Sequence, residues 1–286
     1  MNKTKKPEWI KKRLSLNNKN IEQVKDLLLN LNLNTVCQSA KCPNIFECFS
    51  KKTATFLLLG NICTRNCTFC GVNSGVPLLT DAREPASIAW AVKVMGLEYI
   101  VLTSVTRDDL PDGGAGHFAS TVREIKKILP GSKVECLIPD FQGNPKSLEV
   151  LLNEDLYVLN HNMETVKTNY RKIRNRANYR RSLDILRFSR KLKPELLTKS
   201  GFMLGLGESI EEIRGLLADI KDADCDIVTI GQYLKPAREN FPVKKYYTPE
   251  EFDEIKQMAE TFNFKHVLSG VFVRSSYHAS AIINNR

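Results

Sequence analysis

Three cysteines, Cys63, Cys67 and Cys70, are the residues of this chain whose type and spacing predict chemistry most directly. They form a C-x3-C-x2-C pattern, and three thiolates so close in sequence indicate a metal ion or a metal cluster. A cubane [4Fe–4S] cluster has four irons, and proteins usually bind all four through cysteine. A local set of three leaves one iron open to a small molecule, so the pattern predicts chemistry at that iron.

A second set of three lies upstream at Cys37, Cys42 and Cys48, and it is also one thiol short of a full set. Six of the eight cysteines therefore fall between residues 37 and 70. In a chain of 286 residues such clustered cysteines are expected to be ligands or catalysts rather than disulfides. The other two, Cys136 and Cys225, stand alone in apolar surroundings and are predicted core residues.

Two other uses of the clustered cysteines remain open. A structural zinc site would normally show paired Cys-x2-Cys knuckles or a matching pair of histidines. The four histidines, His117, His161, His266 and His278, are too scattered to form a finger. An electron carrier would have fully ligated clusters, whereas each set here is incomplete. The spacing favours an iron–sulfur cluster over both.

The composition is that of an ordinary globular protein, with 42% hydrophobic and 26% charged residues. No apolar run approaches the roughly 20 residues that a membrane span requires. The basic start, residues 1–7, has no apolar stretch behind it, unlike a signal peptide. We therefore expect a cytoplasmic protein with no membrane partner.

The net charge of +10 is unevenly distributed, because residues 167–193 hold eleven Lys or Arg and one acid, Asp184. Such a stretch is either a solvated helix face or a docking surface that attracts and orients an acidic partner. No RRM, KH or helix-turn-helix signature accompanies it, so nucleic acid is not the expected partner. Arg174 and Arg176 lie in this stretch, and we expect them to meet an acidic carrier rather than the chemistry.

Short apolar segments with helical stretches between them predict parallel βα units. The six predicted strands are residues 54–60, 99–105, 133–139, 157–161, 201–206 and 227–234. Ser209 and Thr248 each begin a capping box, which places a helix start after the fifth and sixth strands. Six such units predict an α/β fold, either a partial (βα)6 TIM-like barrel or an open doubly wound sheet.

In both architectures ligands bind at the carboxyl ends of the strands, and the motifs of this chain lie there. The five segments that follow strands are residues 63–70, 103–109, Asn160-His161-Asn162, Gly205-Leu206-Gly207 and 232–236. Residues 1–52 show no βα repeat and are predicted to be an extension that holds the upstream cysteine set, Cys37, Cys42 and Cys48. Residues 53–265 would form the barrel, and residues 266–286 a C-terminal tail.

The cysteine pattern at 63–70, with the aromatic Phe69 before its last cysteine, resembles the radical S-adenosylmethionine (SAM) superfamily. The resemblance implies that SAM chelates the open iron through its amino and carboxylate groups. The reduced cluster would then cleave SAM, and the 5′-deoxyadenosyl radical would take hydrogen from an unactivated carbon.

The second cysteine set narrows the family, because residues 37–48 are similar to the auxiliary-cluster motif of lipoyl synthases. The further matches are Thr103-Ser104-Val105, residues 107–115, Ile138-Pro139-Asp140-Phe141, Asn160-His161-Asn162 and Arg274-Ser275-Ser276-Tyr277. The resemblance covers almost the whole chain, from about residue 6 to residue 279. One departure is Gln38-Ser39-Ala40, where many members have an acidic residue, but the ligand spacing is intact.

The lipoyl synthase resemblance implies two [4Fe–4S] clusters and SAM as cofactors. The residues expected to hold the clusters are Cys63, Cys67 and Cys70 for the radical-generating one, and Cys37, Cys42, Cys48 and Ser276 for the auxiliary one. Ser275 is the other candidate for the serine ligand. The expected SAM contacts are Phe69, Gly113, Gly114, Asn160 and Gly205. An ordinary turn would also account for the two adjacent glycines, and His161 is expected to be a hydrogen-bonded residue at the barrel mouth.

The implied reaction is insertion of two sulfur atoms at C6 and C8 of an octanoyl chain attached to a protein lysine. The auxiliary cluster would donate the sulfur. The implied partners are octanoylated lipoyl domains of 2-oxoacid dehydrogenases or the glycine cleavage H protein, and an electron donor such as flavodoxin or ferredoxin. Another sulfur-inserting radical SAM enzyme, with a different substrate, is the main alternative.

Overall fold

The structure is a computed structural model, and it describes residues 6–12 and 18–282. Its α-helices are α1 (Lys19–Asn30), α2 (Val36–Ser39), α3 (Ile45–Ser50), α4 (Glu84–Met95), α5 (Ala115–Ile128), α6 (Pro145–Leu152), α7 (Tyr170–Ile173), α8 (Tyr179–Leu192), α9 (Ile210–Asp222) and α10 (Pro249–Glu260). Its strands are β1 (Thr55–Leu58), β2 (Ile62–Cys63), β3 (Asn73–Ser74), β4 (Tyr99–Ser104), β5 (Lys133–Leu137), β6 (Val158–Asn160), β7 (Leu197–Leu204), β8 (Ile227–Gln232) and β9 (His266–Gly270). Single 3-10 turns are Glu8–Ile10, Phe141–Gly143, Lys167–Asn169 and Ala279–Ile282.

Seven parallel strands form the main sheet in the order β1-β4-β5-β6-β7-β8-β9. Each strand neighbours the next main strand along the chain, which is the order of a βα barrel rather than of a doubly wound sheet. The expected α/β partial barrel is therefore confirmed. Five strand-to-strand connections within it contain one of the helices α4, α5, α6, α9 and α10, and α7 and α8 lie together between β6 and β7.

The sheet has one strand more than the six that the sequence predicts. β9 pairs in parallel with β8, with Ile227 opposite His266, although its residues lie in the predicted tail. All five of its residues are half-exposed, so it lacks the continuous apolar run of a buried strand. The division of the chain into an extension, a barrel and a tail, at residues 52 and 265, stays a prediction. The two ends of the chain, residues 1–5 and 283–286, lie outside the described residues.

The N-terminal extension packs into the same core as the first half of the barrel. Helix α1 begins at the cap Asn18, whose side chain accepts from the backbone of Asn20, and it buries Ile21, Val24 and Leu28 along one face. Burying each of these side chains contributes about 1.5–3 kcal/mol. The extension is therefore fixed beside β1, the strand that precedes the downstream cysteine set.

The predictions for the two capping boxes and for the two isolated cysteines are confirmed by the structure. Ser209 and Thr248 each form a full capping box at the start of α9 and α10. Cys136 and Cys225 are 0% and 1% exposed and belong to the core. Among the helices that the structure describes, none is long and apolar enough to cross a membrane.

Candidate active site

One cavity of about 500 Å³ opens at the carboxyl ends of the strands and reaches both cysteine sets. Five of the six clustered cysteines line it, namely Cys37, Cys42, Cys63, Cys67 and Cys70. Cys48 is not among the lining residues. The segments after β4, β6 and β8 also contribute wall residues. Four of the five predicted segments therefore meet at the barrel mouth, whereas Gly205-Leu206-Gly207 does not line the cavity.

The downstream cysteine set lies on a loop that the barrel holds through its backbone. Cys63 ends β2, and its Sγ accepts hydrogen bonds from the backbone N–H of Arg65 at 3.4 Å and of Thr106 at 3.3 Å. The Sγ of Cys70 accepts one from Val72 at 3.4 Å. Backbone N–H groups directed at sulfur orient cluster ligands and tune the potential of the iron that they bind.

The upstream set lies on the short helices of the extension. Cys37 is in α2, Cys48 is in α3, and Cys42 lies between them. Burial and, to a smaller extent, the neighbouring thiols of the set raise the pKa of Cys37 to about 12 and that of Cys48 to about 11. The thiols of the upstream set therefore lie close enough to interact electrostatically.

Both sets fit a cluster better than they fit a single metal ion. Burial also raises the pKa of Cys67, and it raises that of Cys70 to about 12, so a nearby cation is needed to hold these sulfurs as thiolates. In the described ranges no three His, Cys, Asp or Glu side chains converge to hold one ion, as zinc requires. A cubane gives each iron its own cysteine and so spreads the thiolates apart.

The C-terminal motif 274–277 closes the cavity between the extension and the barrel. The hydroxyl of Tyr277 donates to Glu47, with both carboxylate oxygens at 3.0 Å, which attaches the tail to the upstream cysteine segment. Ser275 Oγ accepts from Asn160 Nδ2 at 2.7 Å and donates to Asn162 Oδ1 at 3.0 Å.

Ser276 and Ser275 both line the cavity, but only Ser275 is bonded to the barrel. Within the described part of the chain no group forms a hydrogen bond with the hydroxyl of Ser276. That hydroxyl is therefore the one of the two that is available to a ligand.

The cavity wall that follows β6 is polar, and it contains two charged residues that the sequence analysis did not assign to the site. Glu164 and Arg174 both line the cavity. Burial raises the pKa of Glu164, and the charge of Arg174 opposes that rise. Arg174 donates to the backbone oxygen of Asn162 at 2.9 Å. The expectation that Arg174 meets a carrier was wrong, because its side chain is turned into the cavity.

His161 also lies on this wall and is hydrogen-bonded, as expected. Its Nδ1 lies 2.9 Å from the backbone oxygen of Ile138, which assigns the proton to that nitrogen. Its Nε2 is buried without a partner in the described residues. Burial, helped by the charge of Arg174, lowers the pKa of His161 to about 4, so the ring is neutral at physiological pH.

Of the five residues predicted to contact SAM, only Phe69 is on the cavity wall. Gly114 has φ of +92° at the start of α5, and a Cβ there would overlap Leu59. Gly113, with φ of +62°, packs against Phe141. These glycines therefore form a turn that the fold itself requires.

Gly205 and Asn160 also lie behind the wall. Gly205 packs against the side-chain amide of Gln232. Asn160 is 0% exposed and donates to Glu135 at 2.8 Å, and Glu135 in turn pairs with Lys199 at 2.9 Å. Asn160 thus links a buried ion pair in the barrel to Ser275.

Comparison with known proteins agrees with the geometry of the cavity. Residues 57–220 match the model of the radical SAM superfamily. The chain is similar to the lipoyl synthase of Caldicellulosiruptor saccharolyticus, with 52% identity over 98% of each chain. It is also similar to the lipoyl synthase of Chlorobium limicola, with 50% identity over 99% of this chain and 96% of that protein.

Solved structures share the fold at low identity. Methylornithine synthase aligns with a TM-score of 0.56 and 17% identity, over 91% of this chain and 87% of that one. HydG, a maturase of the [FeFe]-hydrogenase, aligns with a TM-score of 0.60 and 12% identity, over 87% of this chain and 63% of that one. The superfamily match implies SAM and a [4Fe–4S] cluster, and both of these relatives, which align over nearly their full length, are lipoyl synthases. The chain therefore belongs to the lipoyl synthase family of radical SAM sulfurtransferases.

Proposed function

We propose that this chain inserts two sulfur atoms, at C6 and C8, into an octanoyl chain carried on a protein lysine, and that a second cluster in the same protein supplies the sulfur. The observation that carries the proposal is that two incomplete cysteine sets open into one cavity of about 500 Å³. A radical centre and a sulfur source must both reach the same carbon, and a shared cavity allows this.

The proposed division of labour follows from the positions of the ligands. Cys63, Cys67 and Cys70 hold the radical-generating cluster. Cys37, Cys42, Cys48 and Ser276 hold the auxiliary cluster. When bound, the clusters and SAM supply the electron, the carbon radical and the sulfide.

The free hydroxyl of Ser276 supports its assignment as the fourth ligand of the auxiliary cluster. Ser275 is tied to Asn160 and Asn162, and this pair of contacts fixes the backbone on one side of Ser276. Tyr277, bonded to Glu47, fixes the other side. Oxygen is a harder ligand than thiolate for an iron–sulfide centre, so it is displaced more readily.

The polar wall supports a role in holding SAM. Asn162, Glu164 and His161 offer acceptors to hydroxyl and amino groups, and Arg174 offers donors. Phe69 gives an apolar surface beside the cluster loop. Gly113, Gly114, Gly205 and Asn160 would act indirectly, by shaping the backbone behind this wall.

The basic stretch 167–193 supports docking of an acidic carrier, an octanoylated lipoyl domain or the glycine cleavage H protein. Its residues 172–176 pack on the cluster loop: Thr68 N–H donates to Ile173 O at 3.0 Å, and Arg176 donates to Thr64 O at 3.1 Å. Arg171, Lys172, Arg176 and Arg180 are exposed. We also propose that an electron donor such as flavodoxin or ferredoxin reduces the cluster and that the protein works in the reducing cytoplasm.

An anaerobic preparation tests the function. We expect about eight irons per chain, 5′-deoxyadenosine on addition of reductant, and a lipoyl product from an octanoylated lipoyl-domain peptide. Bound zinc in place of iron would contradict the proposal. SAM cleavage that leaves the octanoyl peptide unchanged would favour another sulfur-inserting enzyme.

The docking surface has its own test. Replacing Arg171, Lys172 and Arg180 together by Gln should weaken carrier binding about tenfold at low salt, since each exposed charge contributes about 0.5 kcal/mol. The matched control replaces Lys93, Lys127 and Lys146, which are exposed on the outer helices. Equal affinities for the two triple variants across a salt series would refute the docking surface.

A further inference from the structure

The loop that carries the downstream cysteines contains a buried arginine that none of the expected roles includes. We infer that Arg65 is a positioning residue: it clamps the three-cysteine loop onto two neighbouring βα loops, and the loop holds its cluster only while that clamp is intact. The inference rests on the proposed function, because it concerns the cluster at Cys63, Cys67 and Cys70.

The clamp is made of short, charged hydrogen bonds. Arg65 Nε and Nη2 each donate at 2.7 Å to one carboxylate oxygen of Asp108, which is a bidentate pair. Arg65 Nη2 also donates at 2.7 Å to Asp140 Oδ1. Arg65 is 6% exposed and Asp140 is 0% exposed, so the second contact is fully removed from water. One side chain therefore joins three loops.

The backbone beside Arg65 is fixed to the same loop as Asp108. Thr64 N–H donates to Thr106 O at 3.0 Å, and Asp108 N–H donates to Thr64 Oγ1 at 3.0 Å. Arg65 N–H then points at Cys63 Sγ, at 3.4 Å. Movement of Arg65 would move the donor that orients this thiol.

The bonds of Arg65 give a physical role to two of the motifs that carry the family resemblance. Asp108 lies in the segment after β4, and Asp140 lies in the segment after β5. Neither carboxylate lines the cavity. Each instead contributes one face of the clamp around Arg65.

Arginine is the side chain that this arrangement requires. Its planar fork binds a carboxylate in bidentate fashion and leaves a further N–H for a second partner, which the single ammonium of lysine does not reproduce. Burial alone would lower the pKa of Arg65, and its bonds to Asp108 and Asp140 outweigh that effect and raise it. Without Arg65, Asp140 would be a buried charge whose nearest remaining cation is Arg181, at 3.4 Å.

The test uses the full chain with Cys37, Cys42 and Cys48 replaced by Ala, so that only the barrel cluster is counted. In this parent we compare R65Q, R65K and the control R181Q, which alters the other partner of Asp140 but leaves the loop contacts in place. The readouts are iron per chain and the EPR spectrum of the reduced cluster, recorded with and without SAM. Neither readout requires turnover.

We expect about four irons in the parent and in R181Q, and less than half of that in R65Q. R65K should lie between them, with a broadened spectrum, because it restores charge but not the fork. The double variant R65Q/D140N removes the unpaired buried charge, so it should fold and still bind iron poorly.

Full iron and the spectrum of the parent in R65Q/D140N would overturn the inference and leave the proposed function intact. A parent that binds no iron would contradict the proposed function, and the inference with it.

Discussion

The two cysteine sets line one cavity, but the protein holds them in different ways. The set at 63–70 belongs to a barrel loop that backbone N–H groups and the buried Arg65 network fix in place. The set at 37–48 lies on two short helices of the extension and has no fourth thiol. The adjacent C-terminal tail is held by Tyr277 and Ser275.

This difference matches what the proposed function requires of each cluster. A cluster that only passes electrons and binds SAM gains from a rigid set of ligands, since its geometry must be the same in every turnover. A cluster that gives up sulfide must come apart, and a set completed by a hydroxyl on a separate segment allows that.

Removing one set at a time gives the largest expected contrast. Replacing Cys63, Cys67 and Cys70 by Ala should abolish both 5′-deoxyadenosine and lipoyl product, because the open iron that binds SAM is lost. Replacing Cys37, Cys42 and Cys48 should abolish only the lipoyl product. Both products are measured by mass spectrometry in single-turnover reactions.

Each triple variant should retain about four irons, which serves as the control for folding. Loss of 5′-deoxyadenosine in the upstream triple variant would contradict the separation of the two roles.

Substitution at Ser275 and Ser276 tests which serine completes the ligands of the upstream set. Ser276→Ala should lower the iron at the auxiliary site, while Ser276→Cys should retain it and slow sulfur insertion by at least about tenfold, because thiolate is a tighter ligand for iron. Ser275→Ala should have the smaller effect of loosening the tail. Iron content and product are measured on the same samples.

If Ser275→Ala removed the iron and Ser276→Ala did not, the serine assignment would be reversed.

Gly114 tests whether the turn on the barrel side is a packing feature. Gly114→Ala should destabilise the chain by about 1–3 kcal/mol, since the residue has φ of +92° and its new Cβ would overlap Leu59. The matched control is Gly215→Ala in α9, where a Cβ meets nothing within 4 Å and about 0.5–1 kcal/mol of stabilisation is expected. Denaturant unfolding measures both, and equal stabilities would contradict this account of Gly114.

His161 gives a further contrast, a change in the pH dependence of stability. Its pKa is lowered to about 4 in the folded chain from 6.5, so the unfolded state binds more protons between these values. Stability contributed by the neutral ring is therefore present above pH 6.5 and is lost as the pH falls toward 4, by about 2 kcal/mol between pH 7 and pH 5.

His161→Gln should show a smaller loss over the same pH interval, measured by urea unfolding of the cluster-free chain. An unchanged pH slope would show that His161 is not buried as a neutral ring.

Local patterns in the sequence were sufficient to predict much of the fold and to propose the cluster ligands. The spacing of the cysteines, the apolar strands and the capping boxes at Ser209 and Thr248 are all encoded within a few residues. β9 was missed because its half-exposed residues lack a strand pattern, and only pairing with β8 reveals it.

The charged residues of the site could not be predicted in the same way. Arg65 and Arg174 lie in polar stretches. The burial of Arg65 depends on Asp140, which is far along the chain, and the position of Arg174 in the cavity depends on how its loop folds back onto Asn162. The glycines at 113 and 114 were recognised as special, but their neighbours Leu59 and Phe141 show that packing is the reason.

The central claim is that the inserted sulfur comes from the protein's own second cluster, and isotope transfer tests it most directly. The chain is reconstituted with ³⁴S sulfide, freed of excess sulfide, and given SAM, reductant and an octanoylated lipoyl-domain peptide in the presence of unlabelled sulfide. The account predicts that both sulfur atoms of the first lipoyl group carry ³⁴S. A product with unlabelled sulfur, formed while the clusters keep their label, would contradict it.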